Sequence, residues 1–100
     1  MKSREEILTL LQQIQPGLKA QWPIASIALF GSVARNEQTP TSDIDLLIEF
    51  VDKIGWDVIT LEAELSALLG AKVDIVSRRS LQPYHWQRIG SDIFEVTDHG

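Results

Sequence analysis

Residues 44–51 alternate in a way that strongly constrains the fold. Ile44, Leu46, Ile48 and Phe50 occupy one set of positions, and Asp43, Asp45, Leu47 and Glu49 the other. Successive side chains of a β-strand point to opposite faces. The segment therefore reads as a strand with an apolar face to pack on helices and an acidic face for water or metal. Asp43 and Asp45 project from the same face. Two carboxylates that close repel each other, and one tends to stay protonated. A divalent cation removes the conflict, and Mg²⁺ takes oxygen ligands, typically one or two carboxylates with phosphates and water. The plainer reading of Asp-x-Asp is a solvated strand end or a nearby helix cap, and the pair alone does not decide between the two.

The remaining chain is short and punctuated. Ser3 with Glu6 forms a capping-box pattern, and Ile7, Leu8, Leu11 and Ile14 follow at helical spacing. Pro16-Gly17 is the expected end of that helix. Ile24 to Phe30 reads as a strand buried on both faces. Gly31-Ser32 interrupts it, Val33-Ala34-Arg35 starts a short helix, and Asn36 to Ser42, with Pro40 inside, is a loop. Asp57 is the expected cap of a helix with an apolar stripe of Val58, Leu61, Leu65 and Leu68 and a C-terminal Gly70. Lys72 to Val76 is a strand in which Val73 and Ile75 face one way and Asp74 the other. Ser80 is the expected cap of a last helix, with Pro83 in its first turn and an end near Gly90. Ile93 to Val96 adds an edge strand. This order implies an α/β (α+β) fold in one domain spanning residues 1–100. A small mixed sheet is expected, with helices on its apolar face and the acidic site on the other.

Composition narrows the functional classes. The 100 residues suffice for one domain. No apolar run approaches the roughly 20 residues that cross a bilayer, and the polar N-terminal sequence does not look like a signal peptide. Cysteine is absent, which excludes disulfides and thiolate metal sites. A cytoplasmic protein with no membrane association is expected. Fourteen acidic against nine basic residues give a net charge of −5. That balance disfavours direct nucleic-acid binding, which normally shows a basic footprint, and suits a metal ion or a basic protein partner. It also serves solubility alone.

A third carboxylate, Asp74, sits in its own strand with the same alternation. If the two strands are neighbours, Asp43, Asp45 and Asp74 share one patch. Such a patch suits two metal ions, roughly 3.5–4 Å apart, in a phosphoryl displacement. Gly31-Ser32 lies between a buried strand and a helix start, where backbone N–H groups and a hydroxyl cradle phosphate. Taken alone it is an ordinary turn. It is no Walker loop, because no Gly-Lys-Ser/Thr follows.

Together, Phe30-Gly31-Ser32-Val33-Ala34-Arg35, Ser42-Asp43-Ile44-Asp45-Leu46-Leu47-Ile48-Glu49-Phe50 and Lys72-Val73-Asp74-Ile75-Val76 resemble the minimal nucleotidyltransferases of the DNA polymerase β-like superfamily. The resemblance spans most of the chain. It implies that Gly31 and Ser32 contact a triphosphate and that Asp43, Asp45 and Asp74 are both catalytic residues and ligands of two Mg²⁺ ions. Small members of this family, of the MntA type, commonly act as antitoxins beside a HEPN-fold RNase toxin in type VII toxin–antitoxin systems. Some transfer AMP from ATP to a tyrosine of the toxin. A Mg²⁺-dependent protein adenylyltransferase with ATP as substrate and a HEPN toxin as partner is what the resemblance implies. Neutralisation of the toxin by binding alone, and nucleotidyl transfer to a small molecule, are the alternatives. The chain departs from the common pattern at Asn36, where a Gly often follows the Arg; Asn tolerates a left-handed backbone better than most residues.

Other residues carry weaker signals. Arg35, in the nucleotide-binding set by its place in the motif, either neutralises phosphate charge or pairs with Glu37. Asp74 suits either ligand or general base. Glu49 lies about 13 Å along the strand from Asp45 at roughly 3.3 Å per residue and is left out of the site. His85 and His99 lack partners at metal-ligand spacing. Tyr84, His85 and Trp86 suit stacking on a base or docking a partner, though core packing is the commoner role. Trp22 and Trp56 read as packing residues, and Arg78-Arg79 as a solvated loop, with contact to phosphate or an acidic partner as the alternative.

Overall fold

The structure is a computed structural model and describes residues 1–89 and 92–97. Gly90, where the last helix is expected to end, and His99 lie outside the described residues. The elements run α1 (Arg4–Gln21), β1 (Ile24–Phe30), α2 (Gly31–Ala34), β2 (Ile44–Phe50), α3 (Asp57–Leu69), β3 (Val73–Ser77), a 3₁₀ turn (Arg78–Ser80), α4 (Pro83–Ile89) and β4 (Phe94–Glu95). Four strands form one sheet in the order β3-β2-β1-β4. β1 pairs antiparallel with β2 and with β4, whereas β2 and β3 run parallel. The parallel pair follows from α3, because strands joined through a crossover helix return in the same direction.

One face of the sheet supports the main core. Ile44, Leu46, Ile48 and Phe50 of β2 are all buried there, with Ile27 and Leu29 of β1 and Val73 of β3. α1 contributes Ile7, Leu11 and Leu18, and α3 contributes Leu61, Leu65 and Leu69. The alternation in β2 thus decides which face meets α1 and α3. The opposite face is not bare: Ala28 and Leu47 on it are also fully buried. The chain after β3 folds back across it, and Leu81, His85 and Ile89 meet Phe30 and Val76 around a common pocket.

Several boundaries differ from the sequence expectation, each for a visible reason. α1 starts at the expected capping box but runs through Pro16 and Gly17 to Gln21. Both residues are exposed, so the proline ring faces solvent. Burial of Leu18 favours continuing the helix. Asp57 is the first helical residue of α3; the N-cap position belongs to Trp56, and no side chain caps it. The stripe of α3 closes on Leu69, leaving Leu68 47% exposed. Ser80 belongs to the 3₁₀ turn and donates its hydroxyl to the Ser77 carbonyl, so it does not cap α4. At the start of α4 the Gln82 N–H donates to His85 Nδ1 at 3.0 Å. Gly70 ends α3 in the left-handed conformation, as expected. Asn36 also adopts a left-handed backbone, with φ of 60°, so the turn survives the exchange of Gly for Asn.

Candidate active site

Register brings the site together. β2–β3 pairing sets Asp45 opposite Asp74, and β1–β2 pairing sets Phe30 opposite Asp45. Phe30, Asp45 and Asp74 thus form a row across the sheet on the face away from the main core. Ala28, Leu47 and Val76 form the next row. Neighbouring strands lie about 4.8 Å apart, so Asp45 and Asp74 are close neighbours. Asp43 precedes β2, and its carboxylate stands 3.9 Å from Lys72 Nζ.

Asp45 is the most constrained of the three. Its pKa is raised from an ordinary 3.8 to about 6. Burial is the largest cause, the charges of Asp74 and Asp43 add to it, and Arg35 works against it. The carboxylate rests against Gly31. A Cβ at Gly31 would overlap Asp45 Oδ2 outright and lie 3.0 Å from its Cγ. Gly31 also has φ of +78°, which side chains rarely adopt. Two separate restrictions therefore require glycine here.

Ser32 follows in the first turn of α2, whose leading N–H groups have no partner within the helix. Arg35 ends α2. It pairs with Glu37 at 3.3 Å on the exposed surface and is near enough to Asp45 to stabilise its anion. Of the two readings of Arg35, the pairing with Glu37 is present. Glu49 is exposed, sits opposite Ser26, and stays outside the row.

The donor chemistry suits a hard cation. The oxygens of Asp43, Asp45 and Asp74 share a patch whose mutual repulsion already disturbs Asp45. Among the described residues, no three such groups draw close enough to enclose an ion. Mg²⁺ itself takes as few as one or two carboxylates alongside waters and substrate phosphates.

Other expected residues fall elsewhere. Trp22 is half-buried against the core and donates to Glu64 at 3.1 Å, whereas Trp56 is 87% exposed and does not pack. Tyr84 is exposed and in ring contact with His85. Arg78 is not a solvated loop residue: it lies over Trp86 and forms an ion pair with Glu95. Sequence reasoning missed the side chains that support β3 at the sheet edge. The Val73 N–H donates to Ser66 Oγ and the Ile75 N–H to Glu62 Oε2. Their spacing on α3 offered no sign of this, because the contacts exist only after β3 docks.

The nucleotidyltransferase domain family matches residues 11–97. A protein of Methanocaldococcus jannaschii, provisionally named a protein adenylyltransferase, is 43% identical over 98 residues, covering 96% of this chain and 100% of the relative. The solved structure of a provisionally named minimal nucleotidyltransferase superposes with a TM-score of 0.72 at 33% identity, over 93% of this chain and 95% of its own. A toxin–antitoxin complex crystallised with AMP-PNP contains a chain of the same fold, with a TM-score of 0.68 at 24% identity, over 98% of this chain and 75% of that one.

Proposed function

Since the chain belongs to the nucleotidyltransferase domain family, we propose that it is an antitoxin that transfers AMP from ATP to a tyrosine of a HEPN-type toxin in the cytoplasm. The observation that carries this reading is the seating of Asp45, in register with Asp74 and pressed against Gly31. Nothing in folding calls for a half-buried carboxylate, with its pKa disturbed, beside a second acidic residue. A site for cation-assisted phosphate chemistry does. The name of the methanogen relative supports a protein acceptor. The toxin–antitoxin complex shares only the fold, and it supports the choice of partner by analogy.

Asp43, Asp45 and Asp74 would hold Mg²⁺, which neutralises charge on the phosphate oxygens as it builds. Gly31 and Ser32 bind the triphosphate through backbone N–H groups and the Ser32 hydroxyl. Arg35 adds positive charge beside them. Asp74, exposed at the end of the row, accepts the proton of the attacking hydroxyl. A bond forms between the acceptor oxygen and the α-phosphorus. The bond from that phosphorus to the oxygen bridging the α and β positions breaks, and pyrophosphate leaves. In this reading the toxin supplies the acceptor half of the site.

The test is transfer of label from α-labelled ATP, with Mg²⁺, to the product of the adjacent gene. Labelling that disappears in the double variant Asp43→Asn, Asp45→Asn supports the enzyme. Protection from the toxin that persists undiminished in that variant would instead establish neutralisation by docking alone.

A further inference from the structure

We propose that the pocket between the sheet and α4 seats the nucleobase of the substrate, with His85 and Ser80 contacting the polar edge of the base; this rests on the nucleotidyl-transfer reading above. The pocket has a volume of about 400 Å³ and is lined by Phe30, Val76, Ser80, Leu81, His85 and Ile89. That is within the range of about 300–1,000 Å³ typical of small-molecule sites. Its position links it to the phosphate end. Phe30 is both a wall of the pocket and a member of the row that contains Asp45 and Asp74. The same residue directly precedes Gly31. A nucleotide held by its phosphates at Gly31 and Ser32 therefore has an apolar slot within reach of its base. The hollow along α1, lined by Lys2, Glu5, Glu6, Thr9, Leu10 and Gln13, lies across the sheet from the carboxylates.

The lining also has a polarity. His85 Nδ1 accepts the Gln82 N–H, so that nitrogen carries no proton and the neutral ring keeps its proton on Nε2 as a donor. The Ser80 hydroxyl donates to the Ser77 carbonyl at 2.8 Å, leaving its lone pairs as acceptors. One donor and one acceptor at an otherwise apolar wall complement a ring nitrogen beside an amino group. Adenine offers that pair at N7 and its 6-amino group, whereas the same edge of guanine offers two acceptors. Phe30, Val76, Leu81 and Ile89 supply the surfaces on which a purine is sandwiched.

The experiment compares binding of ATP, GTP and inorganic triphosphate by calorimetry, with Mg²⁺ present and no acceptor. The proteins are wild type, Leu81→Trp, which fills the pocket, and His85→Phe, which keeps a ring and removes its polar atoms. The expected result is that wild type binds ATP more tightly than GTP or triphosphate. Leu81→Trp should weaken ATP about tenfold, the loss expected for one stacked base, and leave triphosphate unchanged. His85→Phe should erase the preference of ATP over GTP. Magnetisation transfer from the methyls of Val76 and Ile89 to adenine H2 or H8 in the wild-type complex gives a readout independent of any variant's folding. Equal affinity of wild type for ATP and triphosphate would overturn the base pocket while leaving the phosphate site intact. Unchanged ATP affinity in Leu81→Trp would overturn it too. Failure of wild type to bind either ligand would remove the nucleotidyl-transfer reading, and this inference with it.

Discussion

Gly31→Ala separates the two restrictions at that position. The first is conformational: φ of +78° costs a residue with a Cβ about 1–2 kcal/mol. Gly55 provides a matched control, with φ of +58° and nothing within 4 Å of an added Cβ. Gly55→Ala should therefore lose only the strain, about 1–2 kcal/mol. At Gly31 the new methyl also overlaps the Asp45 carboxylate, which must leave its rotamer for about 0.5–1.5 kcal/mol more. The total loss for Gly31→Ala is about 2–3 kcal/mol, read from urea denaturation followed by tryptophan fluorescence. The extra loss belongs to the clash, so it should vanish in an Asp45→Ala background, where both glycines cost the same. The consequence for transfer is larger, because a carboxylate moved by an ångström costs on the order of a hundredfold in rate. If Gly31→Ala costs the same with and without the Asp45 side chain, the carboxylate is not seated on Gly31 and the argument for the site loses its main support.

Two further outcomes test the electrostatics and the sheet edge. Because its folded pKa is raised from 3.8 to about 6, the stability Asp45 contributes is fully present below its unfolded value and is lost as pH rises through about 6. Asp45→Asn should therefore be more stable than wild type at pH 8, with the gap closing towards pH 4, in thermal melts recorded with a chelator. The full shift corresponds to about 3 kcal/mol; the carboxylate is only half-buried, and solvent screening brings the expected gain nearer to about 1 kcal/mol. A variant equal to wild type across that range would contradict the disturbed carboxylate. Ser66→Ala deprives the Val73 N–H of its acceptor at the outer edge of β3, for about 1–2 kcal/mol. Amide exchange at Val73 should accelerate more than at residues of β1, and a uniform change would show that Ser66 has no local role.

Much of the architecture is readable from residue order. The alternation at Ile44–Phe50 correctly assigned Ile44, Leu46, Ile48 and Phe50 to the core, because a strand offers only two faces and only one set was fully apolar. The Ser3–Glu6 capping box and the Gly70 terminus were legible for the same local reason: each is settled within one helical turn. Where the readings at Pro16 and Leu68 differed, a local preference yielded to packing, whereas Ser80 was drawn into a hydrogen bond within its own turn. Pro16 did not stop α1 because Leu18 had a core to enter, and Trp56 did not pack because no element reaches it. Arg78 is tied down by Glu95 and Trp86, residues distant in sequence.

The candidate site divides in the same way. The sequence alone determined that Asp45 lies on the polar face of its strand, since the pleat has a period of two, with Asp43 directly before that strand. It determined as well that Gly31-Ser32 sits at a strand-to-helix turn. Only the tertiary structure decided that Asp74 joins them, because strand pairing and register are long-range properties set by how α3 carries the chain across the sheet. Only the tertiary structure laid α4 across the acidic face and made a pocket beside the carboxylates. That pocket draws its walls from β1, β3 and the segment that follows β3, and no local spacing in the chain encodes their meeting.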